Sequence, residues 1–179
     1  MNKKKLLLVC IMFFIALYTA RVCYVNFNYK KPRIITYDRG EICQYGDFLF
    51  CMQTKEFKTY GDIKQTYGSI TMSNEIDDDE TFLVVGFDVT YNGNEERENP
   101  KISGICFQSG SWSNGEEYPM LALLNPDGRD IKMGETKRIY LAASLNWQTF
   151  AKSDFPRIRN RQYNMTLSTY PDVIRMRCE

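Results

Sequence analysis

The sequence predicts an all-β domain, an antiparallel β-sandwich, preceded by one N-terminal transmembrane helix. Three observations predict it. Lys3, Lys4 and Lys5 are followed by fifteen uncharged residues, 6–20. Beyond residue 33, apolar and polar residues alternate in roughly eight short runs, the period of a half-buried strand. Gly, Pro and Asn punctuate those runs, and no convincing amphipathic helix stands among them.

The basic start and apolar run read as an export signal. Cleavage needs small residues at −3 and −1, and cutting after Ala20 would place Tyr18 at −3. A lipoprotein signal needs a small residue before its cysteine, but Val22 precedes Cys23 and Val9 precedes Cys10. An uncleaved signal anchor over 6–25 follows, with 1–5 as a cytoplasmic tail and 26–33 as a tether. Its twenty positions match the ~20 apolar residues a spanning helix needs. Arg21 can snorkel to the headgroups, and Tyr18 and Tyr24 suit the outer interface. The alternative is a secreted protein cut at a poor site. Arg21, Lys30, Lys31 and Arg33 nearly balance the lysine triplet. The N-terminus is still expected inside, because long C-terminal domains translocate largely regardless of charge.

Residues 34–179 are long enough for one domain with a proper core. Run 81–91 is its clearest strand: Leu83, Val85, Phe87, Val89 and Tyr91 alternate and Asn92-Gly93 ends it. Phe48, Phe50, Met52 and Thr54 alternate likewise, as do Ile139, Leu141, Ala143 and Leu145, and Tyr163, Met165, Leu167 and Thr169. Run 173–178 closes the chain, and 34–37, 102–107 and 120–124 are weaker strands. Asn114-Gly115 and 125–128 read as turns, 147–153 as one helical turn or a crossover, and 60–79 and 93–101 as the longest irregular stretches. Such a run of short strands predicts a sandwich.

All 22 acidic residues lie beyond Arg33, against 16 of the 23 basic ones, so the exported part carries about −6. That excludes nucleic acid as an expected partner, since its binding rests on cationic patches. Arg157, Arg159 and Arg161 read as a solvated strand face.

Four cysteines lie in the exported part: Cys43, Cys51, Cys106 and Cys178. An even count in an exported domain suggests two disulfides, with three pairings possible. A three-residue loop centred on Asp47 would set Cys43 opposite Cys51, leaving Cys106 with Cys178. Free buried thiols are the other reading. Zinc is not expected, with no CxxC spacing and no histidine.

Gly40-Glu41, Tyr45-Gly46-Asp47, the series 81–93 ending in Asn92-Gly93, and Met133-Gly134-Glu135-Thr136 together resemble a known pattern. It is similar to the membrane-anchored or lipid-anchored immunoglobulin-like domains of unknown function of low-GC Gram-positive bacteria, over about residues 34–178. The resemblance implies an immunoglobulin-like sandwich. It supplies no catalytic residues, and the four cysteines are not part of its pattern.

Chemistry-bearing motifs are sparse. Without histidine the commonest general base is missing, and no nucleophile elbow, phosphate loop or cofactor motif occurs; run 109–115 has the wrong order. Asp77, Asp79 and Glu80 offer hard oxygens for calcium, yet adjacent acids without a turn glycine read as a solvated loop. Trp112, Tyr118, Trp147 and Phe150 form a candidate recognition patch, though Trp147 equally suits an end cap of the sandwich. The expected function is a non-enzymatic, membrane-tethered, extracytoplasmic binding module with no cofactor. Its expected partners are the membrane and an envelope or surface protein. The alternative is an envelope-anchored hydrolase using paired carboxylates, Asp88 or Glu116 with Glu117.

Overall fold

The structure, a computed structural model, describes residues 3–29, 31–68, 76–93, 104–146, 148–151 and 153–179. Trp147, and residues 102–103 of one expected strand, lie outside them. The chain divides into two compact units, Met1–Arg33 and Ile34–Glu179.

The first unit is one helix, α1 (Lys3–Asn28). Its most apolar 18-residue window has a mean hydropathy of 2.3, and the segment Lys4–Asn28 is long and apolar enough to cross a membrane by length and composition. It runs past both ends of the expected 6–25 span. Its polar side chains turn back on the helix: Thr19 Oγ1 donates to the Ile15 carbonyl at 2.9 Å, and Asn28 Nδ2 to that of Tyr24 at 2.8 Å. Such i−4 bonds satisfy polar groups without water.

The second unit is a two-sheet sandwich. One sheet has four strands in the order β2 (Ile42–Tyr45), β3 (Phe48–Thr59), β4 (Thr81–Tyr91), β7 (Thr136–Leu145). The other has five, in the order β1 (Ile34–Tyr37), β9 (Val173–Cys178), β8 (Tyr163–Ser168), β5 (Cys106–Ser109), β6 (Trp112–Gly115). Among the described residues the ladders between these strands are antiparallel except β1 with β9. The β4–β7 pair and the β5–β8–β9 triplet are the B–E and C–F–G neighbours of an immunoglobulin sandwich. An added β2–β3 hairpin extends the four-stranded sheet.

The core lies where the alternation places it. Leu83, Val85, Phe87 and Val89 from β4 meet Ile139, Leu141, Ala143 and Leu145 from β7, and all eight are fully buried. Tyr163, Met165, Phe107, Met176 and Cys178 face them from the other sheet. Tyr163 sends its hydroxyl to the Ile158 carbonyl at 2.8 Å, and burial pushes its phenol up to about 12.

Two short helices pack on the four-stranded sheet where the sequence offers no convincing amphipathic helix. α2 (Tyr60–Tyr67) starts in a capping box, the Thr59 hydroxyl accepting from the Asp62 amide and the Asp62 carboxylate from the Thr59 amide. α3 (Tyr118–Leu124) occupies the run expected as a strand at 120–124. Tyr60, Ile63, Met120 and Leu124 close over Phe82, Val84 and Ala142, making a second core on the outer face of the four-stranded sheet. On that face Tyr140 covers Gly86, where an added Cβ would stand 2.7 Å from the ring and 2.5 Å from Thr54 Oγ1. Other expectations shift locally. Asn114 and Gly115 belong to β6 rather than a turn. The expected arginine strand is a 3-10 helix, Phe155–Asn160, with Arg161 beyond it bonded to Asp154 at 3.0 Å.

The disulfide pairing is overturned by register. The β2–β3 turn has two residues, not three, with Gly46 at φ +59°. Cys43 therefore stands opposite Phe50 and Cys51 opposite Ile42. A one-residue offset puts side chains on opposite faces, so Cys43 is buried in the core while Cys51 is on the outer face. The other pair fails alike: Phe107 and Cys178 face inward, so Cys106 faces out. All four thiols are free. Burial pushes Cys43 up to about 11 and Cys178 to about 12, and the thiolate is the reactive form. In native protein at pH 8, Cys51 and Cys106 are expected to alkylate at least tenfold faster than Cys43 and Cys178, which should react only on unfolding. Mass spectrometry of timed alkylation checks this; equal rates at all four would reject the assigned faces.

Candidate functional site

Among the described residues, a groove along α3 is a candidate ligand site. The helix is built by Pro119 in its first turn and by burial of Met120, Leu121 and Leu124. It stops at Asn125, whose amide is fully committed. Asn125 Nδ2 donates to the carbonyls of Leu121 and Tyr140, each at 2.8 Å, and Oδ1 accepts from the Tyr140 amide at 2.9 Å. One side chain thus pairs with the edge strand β7 as a neighbouring strand would.

The following turn makes the groove's other wall. The Gly128 amide donates to the Asn125 carbonyl at 3.0 Å, and Lys137 Nζ donates to the carbonyls of Asp127 at 3.0 Å and Asp130 at 3.5 Å. Buried Ile131 roots its far end. Tyr118, Leu121, Ala122, Asn125, Pro126, Gly128 and Arg129 enclose about 300 Å³. Leu121 is the buried floor, and Tyr118, 75% exposed, is an open aromatic wall. Of the expected recognition patch, Tyr118 stands here. Trp112 and Phe150 are instead buried, stacked at 4.9 Å with Arg161 over the Phe150 ring at 5.5 Å.

The carboxylates named from sequence do not converge. Asp88 is held by Arg138, whose Nε and Nη2 reach it at 2.5 and 3.1 Å. Glu116 and Glu117 diverge. Burial raises Glu116, and Arg129 acts in the opposite sense; its Oε2 is buried without a hydrogen-bond partner among the described residues. Glu117 points toward Ser144. Burial raises it, the Ser144 amide lowers it, Glu80 raises it again, and the Asn114 side chain lowers it. Ser144 Oγ donates to Glu80 and accepts from Asn146 Nδ2 at 3.2 Å.

The acids weighed as calcium ligands, and read as a solvated loop, separate in the same way. Glu80 turns in to Ser144, while the Asp77 carbonyl accepts from the Glu80 amide at 3.0 Å and Asp78 pairs with Lys64. Among the described residues no group of three His, Cys, Asp or Glu could hold a metal ion.

A carboxyl raised on folding binds its proton more tightly in the native state. Its contribution to stability is therefore favourable below the unfolded value and is lost as pH rises through the folded one. Glu116→Gln is expected to gain about 1 kcal/mol over the parent at pH 7, at the low end for an unsatisfied buried polar group because the side chain is half-exposed. The gain should vanish near pH 4. Urea unfolding at the two pH values checks it; a constant difference would assign the effect to packing.

Comparison with known proteins adds little detail. No known family matches the chain, and no curated protein matches it. Among solved structures it is similar to the crystal structure of an uncharacterised β-sandwich protein from Clostridium difficile 630. The two share 11% identity, over 84% of this chain and 99% of that one, with a TM-score of 0.45.

Proposed function

We propose that the chain is a non-enzymatic, single-pass, membrane-tethered module that presents its sandwich outside the cell membrane to bind an envelope or surface component. One observation carries this reading: a helix of membrane-spanning length and composition makes up a compact unit of its own. A cleaved signal would need small residues at −3 and −1, and Tyr18 at −3 of a cut after Ala20 favours a retained helix. The resemblance to anchored immunoglobulin-like domains of low-GC Gram-positive bacteria supports the same reading. The groove, with its exposed Tyr118, supplies the binding surface, as loops and short helices on a rigid sandwich commonly do.

A photo-crosslinking residue in place of Tyr118, in the full chain on intact cells, tests the proposal. A covalent adduct with an envelope component is expected. With Cys51 and Cys106 replaced by Ser, an impermeant maleimide should label Met133→Cys, a site 62% exposed, from outside. Self-adducts alone, or labelling only after lysis, would reject it.

A further inference from the structure

We propose that the α3 groove binds a free carboxylate on a compact apolar body, the chemistry of a peptide's C-terminal residue, with the carboxylate on Arg129 and the body against Tyr118 and Pro126. This rests on the tethered-module reading and names what its site takes. Four lining side chains, Tyr118, Leu121, Ala122 and Pro126, offer apolar surface. The Asn125 amide spends its bonds on Leu121 and Tyr140. An apolar body packs on these four side chains without calling for further hydrogen-bond partners.

Charge points the same way. Several of the domain's cations are matched to a carboxylate: Arg138 to Asp88, Arg161 to Asp154, Arg177 to Asp38, Lys58 to Glu56. Arg129, half-buried in the groove wall, has no ion pair or hydrogen bond among the described residues. A guanidinium presents a planar fork that fits a carboxylate through two parallel bonds. Glu116, near enough to feel Arg129 yet forming no ion pair with it, disfavours a dianion such as phosphate more than a monoanion. At about 300 Å³ the groove sits at the small end of ligand sites and takes a body the size of one residue.

The test uses the full chain in detergent micelles with two probes, N-acetylphenylalanine and its amide, read by ligand-detected NMR. The acid is expected to bind with a Kd on the order of 1 mM, usual for so small a ligand, and the amide at least tenfold more weakly. Arg129→Gln should cost the acid about tenfold and leave the amide unchanged, while Tyr118→Ala weakens both. A near-UV spectrum like the parent's shows that each variant is folded. Acid and amide binding alike, an unchanged acid affinity in Arg129→Gln, or no acid binding at roughly 10 mM would overturn the inference. A Tyr118 adduct on cells beside such a negative result would leave the tethered module standing and remove only its carboxylate ligand.

Discussion

Phe87→Ala is expected to destabilise the sandwich by about 3–5 kcal/mol, the usual cost of emptying a large aromatic site in a core that cannot collapse around it. Phe87 is fully buried, stands between Met52 on β3 and Ile139 on β7, and packs its ring on Phe50 at 5.9 Å and 39°. Neighbours on two strands and the facing sheet hold the walls of the cavity apart, so relaxation offsets little of the loss. For a domain of this size the melting temperature should fall by roughly 10 °C. The next residue along the strand is the control. Asp88 points to the other face, where its pair with Arg138 is partly exposed, so Asp88→Asn should cost under about 1 kcal/mol. Urea unfolding of both variants decides it. A loss below about 1 kcal/mol at Phe87 would mean that the inward register of β4 is wrong.

That register was legible because period-two alternation is a direct record of one buried face. Run 81–91 coincides with β4 and 173–178 with β9. What alternation hides is a strand buried on both faces. The unbroken run Phe82-Leu83-Val84-Val85 signals it, yet the cover over Phe82 and Val84 comes from helices too short to show a period. Five apolar residues at 120–124 fit a strand or a helix equally. Pro119 in the first turn was the cue for α3, and Thr59 with Asp62 three residues on was the cue for α2.

The cysteines failed for a different reason. Faces depend on parity, and parity on whether the turn at Asp47 holds two residues or three; one residue reverses every inference drawn from it. In the site, Tyr118 was visible as an aromatic in an irregular segment. Arg129 was not, because an arginine after Asn125-Pro126-Asp127-Gly128 looks like any turn residue until the fold lays that turn beside α3.

Asn125→Ala should cost about 2–3 kcal/mol and expose the edge of the four-stranded sheet. The strand β7 has β4 on one side only. Its other side is closed piecemeal: Asn125 takes the amide and carbonyl of Tyr140, the Glu117 amide donates to the Ala142 carbonyl at 2.8 Å, and Asn114 Nδ2 to the Ser144 carbonyl at 3.2 Å. Alanine at 125 removes the Tyr140 pairing and the bond to Leu121 that ends α3. Each buried group left unpaired costs about 1–3 kcal/mol, less where water can reach it, as it can near half-buried Tyr140. Asn125→Asp separates the two halves of the pairing, because its carboxylate still accepts from the Tyr140 amide but has no donor for the two carbonyls. Its second oxygen instead faces those carbonyls in a buried site, so at pH 7 it should cost at least as much as Ala. An open row of backbone groups on a ten-residue edge strand invites pairing with a second copy, so Asn125→Ala should also show concentration-dependent association by light scattering. The same substitution loosens the helix end against the 126–129 turn, so the groove should lose its ligand along with its stability. A variant that stays monomeric and loses less than about 1 kcal/mol would show that β7 is guarded by something other than this amide.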